Sequence, residues 1–164
     1  MHTVTIDLDP PCGPQAHAQL GRDVAAALRG VLGADADGLA VVIRDAAPDP
    51  AQVVRAYLDA MERRDLDAAR ALLAPGFAMT FPGGVRMTTL EELIAWARPR
   101  YRHVAKTYQR FDALGGVVYC FGTLHGAWPD GAAFSGIRFI DRFELSGGRI
   151  ARQDVWNDMG EVRR

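Results

Sequence analysis

The chain has little that would tie it to a membrane, a disulfide scaffold or a polyanion. Among its 164 residues no apolar run approaches the roughly 20 that cross a bilayer. The opening MHTVTIDLDP has neither the basic stretch nor the apolar core of a secretory leader, so a cytoplasmic location is expected. Cysteine is scarce. Cys12 and Cys120 are too few and too far apart in sequence for a disulfide framework or a thiolate metal site, and both read as reduced thiols. Neither sign of charge dominates: 19 basic and 20 acidic side chains leave a formal net charge of -1, so no nucleic-acid partner is expected. The densest basic stretch, ARPRYRH, spaces Arg98, Arg100 and Arg102 two apart around a helix end and reads as solvated surface. His2, His17, His103 and His125 show no ligand spacing with carboxylates, and no glycine word leads from a strand into a helix. No metal, nucleotide or other cofactor is therefore expected.

What the chain does have is 49% hydrophobic residues, enough for the core of one ordinary domain plus an appendage. Residues 1–46 read as a β-α-β unit. VTIDL alternates Val4, Ile6 and Leu8, LAVVIRD alternates Leu39, Val41 and Ile43, and between them Leu20, Val24, Leu28, Val31 and Leu32 recur at helical spacing, with Gly33 placed to cap the helix. Two parallel strands and one helix cannot cover both sheet edges, so this unit needs a partner. Pro48 and Pro50 in DAAPDPAQ mark a linker, and residues 47–164 form the main domain.

The main domain opens with AQVVRAYLDAMERR, which sets Val53, Val54, Tyr57, Leu58 and Met61 on one stripe, and LDAARALL follows to make a helical hairpin. FAMTF is a short strand and PGG a turn. MTTLEELIAWA is a third helix, capped by Thr88 or Thr89 with Glu91 or Glu92 reaching back. From Ala105 onward, KTYQRFDA, GVVYCFGTLHGAW, FSGIRFIDRFEL and GRIARQDVW alternate as strands between GG, PDG and SGG turns, an antiparallel meander. Gly122, Gly126 and Gly136 within it permit strong curvature. The fold class is α+β, with N-terminal helices closing the concave side of a curved antiparallel sheet.

One position stands against its pattern. GIRFIDRFEL puts Ile137, Phe139, Phe143 and Leu145 on one face, and Asp141 on that same face. A carboxylate among apolar side chains is costly unless paired, hydrogen-bonded or protonated. Either Asp141 serves a pocket, or it pairs with an arginine such as Arg138 or Arg142 around a strand edge. Tyr57 lies in a full apolar stripe, where a core tyrosine is the plain alternative to a functional one. On the last strand Arg152, Asp154 and Trp156 alternate against Ala151, Gln153 and Val155, and either set can face inward. His125 is a second proton carrier if it faces a pocket and a surface histidine if it does not. Trp96 reads as packing and Trp128 as rim.

AYLDAMERRDLDAARALL and FIDRFELSGGRIARQDVW resemble the opening hairpin and the final strand pair of the nuclear transport factor 2-like superfamily, which includes ketosteroid isomerases and SnoaL-like polyketide cyclases. The resemblance covers roughly residues 51–160 and implies a cone-shaped curved sheet around an apolar pocket. Asp141 matches the family's strand aspartate, a protonated oxyanion donor in the isomerases and a proposed acid/base in the cyclases. Tyr57 matches the isomerase oxyanion tyrosine, eight residues before Asp65. The isomerase general base falls on Phe81, which cannot take a proton, so the known steroid route is not expected. A cyclase-like use of one carboxylate and a shaping cavity survives better. Asp154 and Trp156 resemble residues that close the family's last strand. The resemblance thus implies catalytic Asp141 and Tyr57 with Asp154 as a further candidate; His125 joins them only as a residue that titrates near neutrality, and Phe81, Phe139, Phe143 and Trp156 are expected to line the pocket. The implied function is isomerisation, cyclisation or dehydration of a small apolar carbonyl compound through an enolate, with non-catalytic ligand binding or oligomerisation as the alternative.

Residues 2–47, with HTVTIDL and LGADADGLAVVIRD, are similar to the oxalocrotonate tautomerase family's β-α-β unit. That chemistry needs an N-terminal proline. Here His2 follows Met1, Pro10 and Pro11 are internal amides, and the family's arginine falls on Ala40, so no tautomerase activity is expected. The unit's implied use is assembly, giving a homodimer or larger homo-oligomer.

Overall fold

A computed structural model describes residues 2–8, 13–33, 38–45 and 48–162; Met1, Pro10, Pro11, Cys12 and the linker residues Ala46 and Ala47 lie outside the described residues. The chain divides into two units, residues 1–47 and 48–164.

In the first unit, strands β1 (His2–Leu8) and β2 (Leu39–Asp45) pair in parallel from His2 opposite Leu39 to Leu8 opposite Asp45, connected through helix α1 (Pro14–Leu32). Pro14 enters the first turn, where its missing N–H costs nothing, and Gly33 leaves the helix at positive φ with its N–H donating to the Arg29 carbonyl. Leu39, Val41 and Ile43 share a concavity with His17, Gly21 and Ala25 of the helix. No described side chain of this unit is fully buried, and Val31 at the end of the apolar stripe is 84% exposed.

The second unit is α+β. Helices α2 (Pro50–Glu62), α3 (Leu66–Ala71) and α4 (Leu90–Ala97) accompany a six-stranded curved sheet of β3 (Leu73–Phe81), β4 (Val85–Met87), β5 (His103–Leu114), β6 (Val117–Ala127), β7 (Ala133–Ser146) and β8 (Arg149–Asn157), and the short α5 (Met159–Val162) follows. The sheet order is β4-β3-β8-β7-β6-β5. The last four strands form the expected meander. The sheet as a whole is mixed, because β3 runs parallel to β8. VRM at β4 was too short to register as a strand, yet it pairs with β3 across the PGG turn.

The helix starts are set locally. Asp49 accepts from the Ala51 N–H at 3.0 Å and Asp65 from Ala68 at 3.1 Å. Of the possible caps on α4, Thr89 and Glu92 form the reciprocal box. Between α2 and α3, Arg64 is the one non-glycine residue at positive φ among the described residues. Its N–H donates to the Met61 carbonyl at 3.2 Å and that of Asp65 to Ala60 at 2.9 Å, the paired bonds that close a helix through a left-handed residue. A side chain there costs about 1–2 kcal/mol, which glycine avoids.

Curvature concentrates at β6. A Cβ on Gly122 would stand 2.0 Å from the Thr107 carbonyl oxygen and one on Gly126 2.2 Å from that of His103. The β5–β6 ladder shifts register beside Gly122 and the β6–β7 ladder beside Gly126, which folds the sheet inward. The core lies on the concave side: Val53, Val54, Tyr57 and Leu58 of α2 meet Met79, Val118, Cys120, Phe139, Phe143 and Ile150 of the sheet. No described helix is long and apolar enough to cross a membrane.

Candidate active site

Asp141 faces inward, as the alternation of β7 requires, and is 0% exposed. Its partner is Lys106 of β5, 35 positions away, whose Nζ forms an ion pair with Oδ2. Gln153 Nε2 donates to the same oxygen at 3.2 Å, and the Tyr57 hydroxyl donates to Gln153 Oε1 at 3.2 Å. Donors from two strands, β5 and β8, therefore converge on one carboxylate oxygen, with Tyr57 of α2 behind Gln153, while Asp141 Oδ1 has no hydrogen-bond partner among the described residues. The carboxyl is arranged to accept hydrogen bonds, and the oxyanion-donor role implied by the isomerase resemblance does not match this geometry.

Beside the network lies a cavity of about 190 Å³, lined by Tyr57, Leu58, Met61, Phe81, Leu93, Trp96, Val104, Lys106, Tyr108 and Gln153, with Glu62 and Arg64. Asp141 stands behind this wall and reaches the cavity through Lys106 and Gln153. The Lys106 side chain is 22% exposed, and its Nζ lies 4.5 Å from the centre of the Phe139 ring. Tyr108 packs edge-on to Phe139 at 5.9 Å between ring centres. Its hydroxyl has no hydrogen-bond partner among the described residues.

Burial, and after it the negative charge of Asp141, pushes the phenol groups of Tyr57 and Tyr108 well above the ordinary tyrosine value. Both remain proton donors throughout the physiological range. The same two causes push the Cys120 thiol up to about 12, so this cysteine is an inert core residue and not a nucleophile.

Several expected site residues stand elsewhere. Arg138 and Arg142 do not pair with Asp141, because odd offsets along a strand send them to the opposite face; Arg138 holds Asp158 at 2.6 Å, and Arg142 holds Glu144. Asp154 is also on that outer face, with Arg152 at 2.8 Å and Arg142 at 3.4 Å, so it does not line the cavity. The inward set of β8 is Gln153 and Val155. Trp156 is 54% exposed opposite Ile140 on the outer face, and does not line the cavity either. His125 is exposed, with Nδ1 3.4 Å from the Thr107 hydroxyl, so it cannot carry protons to this site. Phe139 and Phe143 are core residues that back Tyr108 and Tyr57. Phe81 does line the cavity, edge-on to Trp96 at 5.1 Å. Trp96 lines the cavity as well as packing.

Lys106, Tyr108 and Gln153 are the residues that sequence reasoning missed. A signal existed: Val104, Lys106 and Tyr108 alternate on one face of VAKTYQRFDA, so an inward tyrosine implies an inward lysine. Among the described residues no group of three metal-ligating side chains is gathered.

A curved sheet whose concave face is covered by helices around such a cavity is the nuclear transport factor 2-like fold, and solved structures share it. A nuclear transport factor 2-like protein from Burkholderia pseudomallei K96243 matches with a TM-score of 0.62 at 23% identity, over 69% of this chain and 93% of that one. IdmH from Streptomyces antibioticus, named as a candidate polyketide cyclase, matches at 0.58 and 19%, over 67% and 92%. TerC, co-crystallised with polyporic acid, matches at 0.63 and 17%, over 70% and 95%. No curated protein matches in sequence. The chain belongs to the SnoaL-like domain family, whose model matches residues 54–153.

Proposed function

We propose that the second unit binds a small carbonyl compound and turns it over through an enol or enolate, by isomerisation, cyclisation or dehydration. The observation that carries this reading is a buried carboxylate, Asp141, paired with the partly exposed Lys106 in the wall of an aromatic and aliphatic cavity. Lys106 Nζ has donors beyond the one spent on Asp141, and Tyr108 keeps its proton, so the two can stabilise an oxyanion in a mostly apolar lining. Asp141 acts behind them, holding the ammonium and fixing Gln153. Tyr57 orders the network and does not donate to the ligand, since its proton goes to Gln153. With phenylalanine at position 81, the carboxylate among the cavity-lining residues is Glu62, which becomes the candidate base. The cavity is smaller than the roughly 300–1,000 Å³ of drug-sized sites, which favours a small ligand. A small-molecule pocket also suits a fold in which TerC was co-crystallised with an organic acid.

Titration of bound 4-nitrophenol tests this reading. In the wild type the bound dye should ionise at lower pH than the free dye, and Lys106→Met, which leaves Asp141 without its cation, should raise it to the free value or above. A bound dye that titrates like the free one would overturn the enolate reading. A second reading, a ligand-binding module without turnover, is favoured by Phe81 and by the withdrawal of Asp141 behind the wall. Deuterium incorporation at the α-carbon of a small ketone in heavy water separates the two, because a binder alone gives none.

For the first unit, whose described side chains are nowhere fully buried, the proposed role is assembly into a homodimer or larger homo-oligomer. Light scattering that returns a monomer removes that role.

A further inference from the structure

Arg64 occupies a backbone position where glycine is the residue of least strain, with φ 61° in the turn after α2. It is an exposed residue and stands among those that line the cavity. Among the described residues its guanidinium has neither a hydrogen-bond nor an ion-pair partner. Glu62 lines the same cavity two positions earlier without an ion pair to Arg64, so the guanidinium is not neutralised by contact. The other cation of the cavity, Lys106, is already matched by Asp141. A strained, unpaired arginine at the edge of a ligand cavity has no folding role that glycine would not fill better, and strain of this kind gathers at ligand clamps.

The geometry points to Arg64 as the specificity-determining residue that selects a carbonyl substrate carrying a carboxylate, an inference that rests on the cavity's proposed function. The carboxylate would pair with the planar guanidinium through two parallel N–H bonds, leaving the carbonyl end to Lys106 and Tyr108. Arginine suits this better than lysine because its fork matches both carboxylate oxygens. The carboxylate also gives a small ligand a second anchor, which orients its carbonyl before any proton moves.

The test compares two probes that differ in the carboxylate, 4-hydroxyphenylacetate and 4-methylphenol, by calorimetry against the wild type and Arg64→Gly. In the wild type 4-hydroxyphenylacetate should bind at least about tenfold tighter, an advantage that shrinks as salt rises. In Arg64→Gly that advantage should vanish while 4-methylphenol binds as before, and the melting temperature should rise by a few degrees as backbone strain is relieved. An advantage that persists in Arg64→Gly, or is absent from the wild type, overturns the inference while 4-methylphenol binding leaves the cavity reading intact. If neither probe binds the wild type, both fall.

Discussion

Asp141 and Asp154 lie on neighbouring strands of one sheet, and both are buried, at 0% and 5% exposure. They face opposite ways. Asp141 points inward to one lysine, one amide and a cavity wall, whereas Asp154 points outward and is shared by two arginines that reach solvent. Burial by itself therefore does not mark a functional carboxylate. What separates the two is redundancy: removing Lys106 leaves Asp141 without a cation, while removing Arg142 leaves Asp154 with Arg152.

The largest effect should follow from that difference. Lys106→Met leaves an uncompensated charge in the core and should cost about 3–5 kcal/mol in urea unfolding, against about 1 kcal/mol or less for Arg142→Met. Equal costs would remove the distinction between the faces.

The second effect is alkaline. Cys120, Tyr57 and Tyr108 are held neutral in the folded state, so their folded values lie above the unfolded ones. The unfolded chain then binds fewer protons as pH rises, and stability present below the unfolded thiol value of about 8.5 is lost as pH climbs toward 12. The slope from each group is at most about 1.4 kcal/mol per pH unit. Cys120→Ala should flatten the first part of that limb in denaturant unfolding between pH 8 and 10.5. The outer face pairs carboxylates with guanidinium groups, which do not titrate there, so Asp154→Asn should leave the limb unchanged.

The smallest effects belong to the outer surface. Ile140→Thr, at a side chain 39% exposed, should change stability by about 0.5 kcal/mol or less and leave 4-nitrophenol binding untouched. A loss of binding there would mean that the outer face communicates with the cavity.

Much of the fold was legible because it is written in local periods. The stripe of α2, a threonine cap on α4 at Thr88 or Thr89 and the four-strand meander follow from spacing and turn chemistry that act within a few residues, whereas the Asp49 cap was hidden in what read as a linker. β4 and the parallel docking of β3 on β8 were not legible, since a three-residue strand has no period and strand partners are chosen across long loops. The site was legible in part. Period two placed Asp141 inward. It could not say which of two alternating sets on β8 faced the core, because Gln153 with Val155 and Asp154 with Trp156 are each half polar.

The sequence alone determined that a carboxylate must be buried in β7, because alternation admits no other face for Asp141 once Ile137, Phe139 and Phe143 are inside. Only the tertiary structure decided which cation meets it. Lys106 arrives from two strands away, across β6, and that meeting depends on the ladder register and on the bend at Gly122. It also brought Arg64, a turn residue in sequence, to the cavity's edge. The physical reason is the same in both cases: a side chain's direction is set by backbone geometry within a few residues, but its partner is set by how distant segments stack.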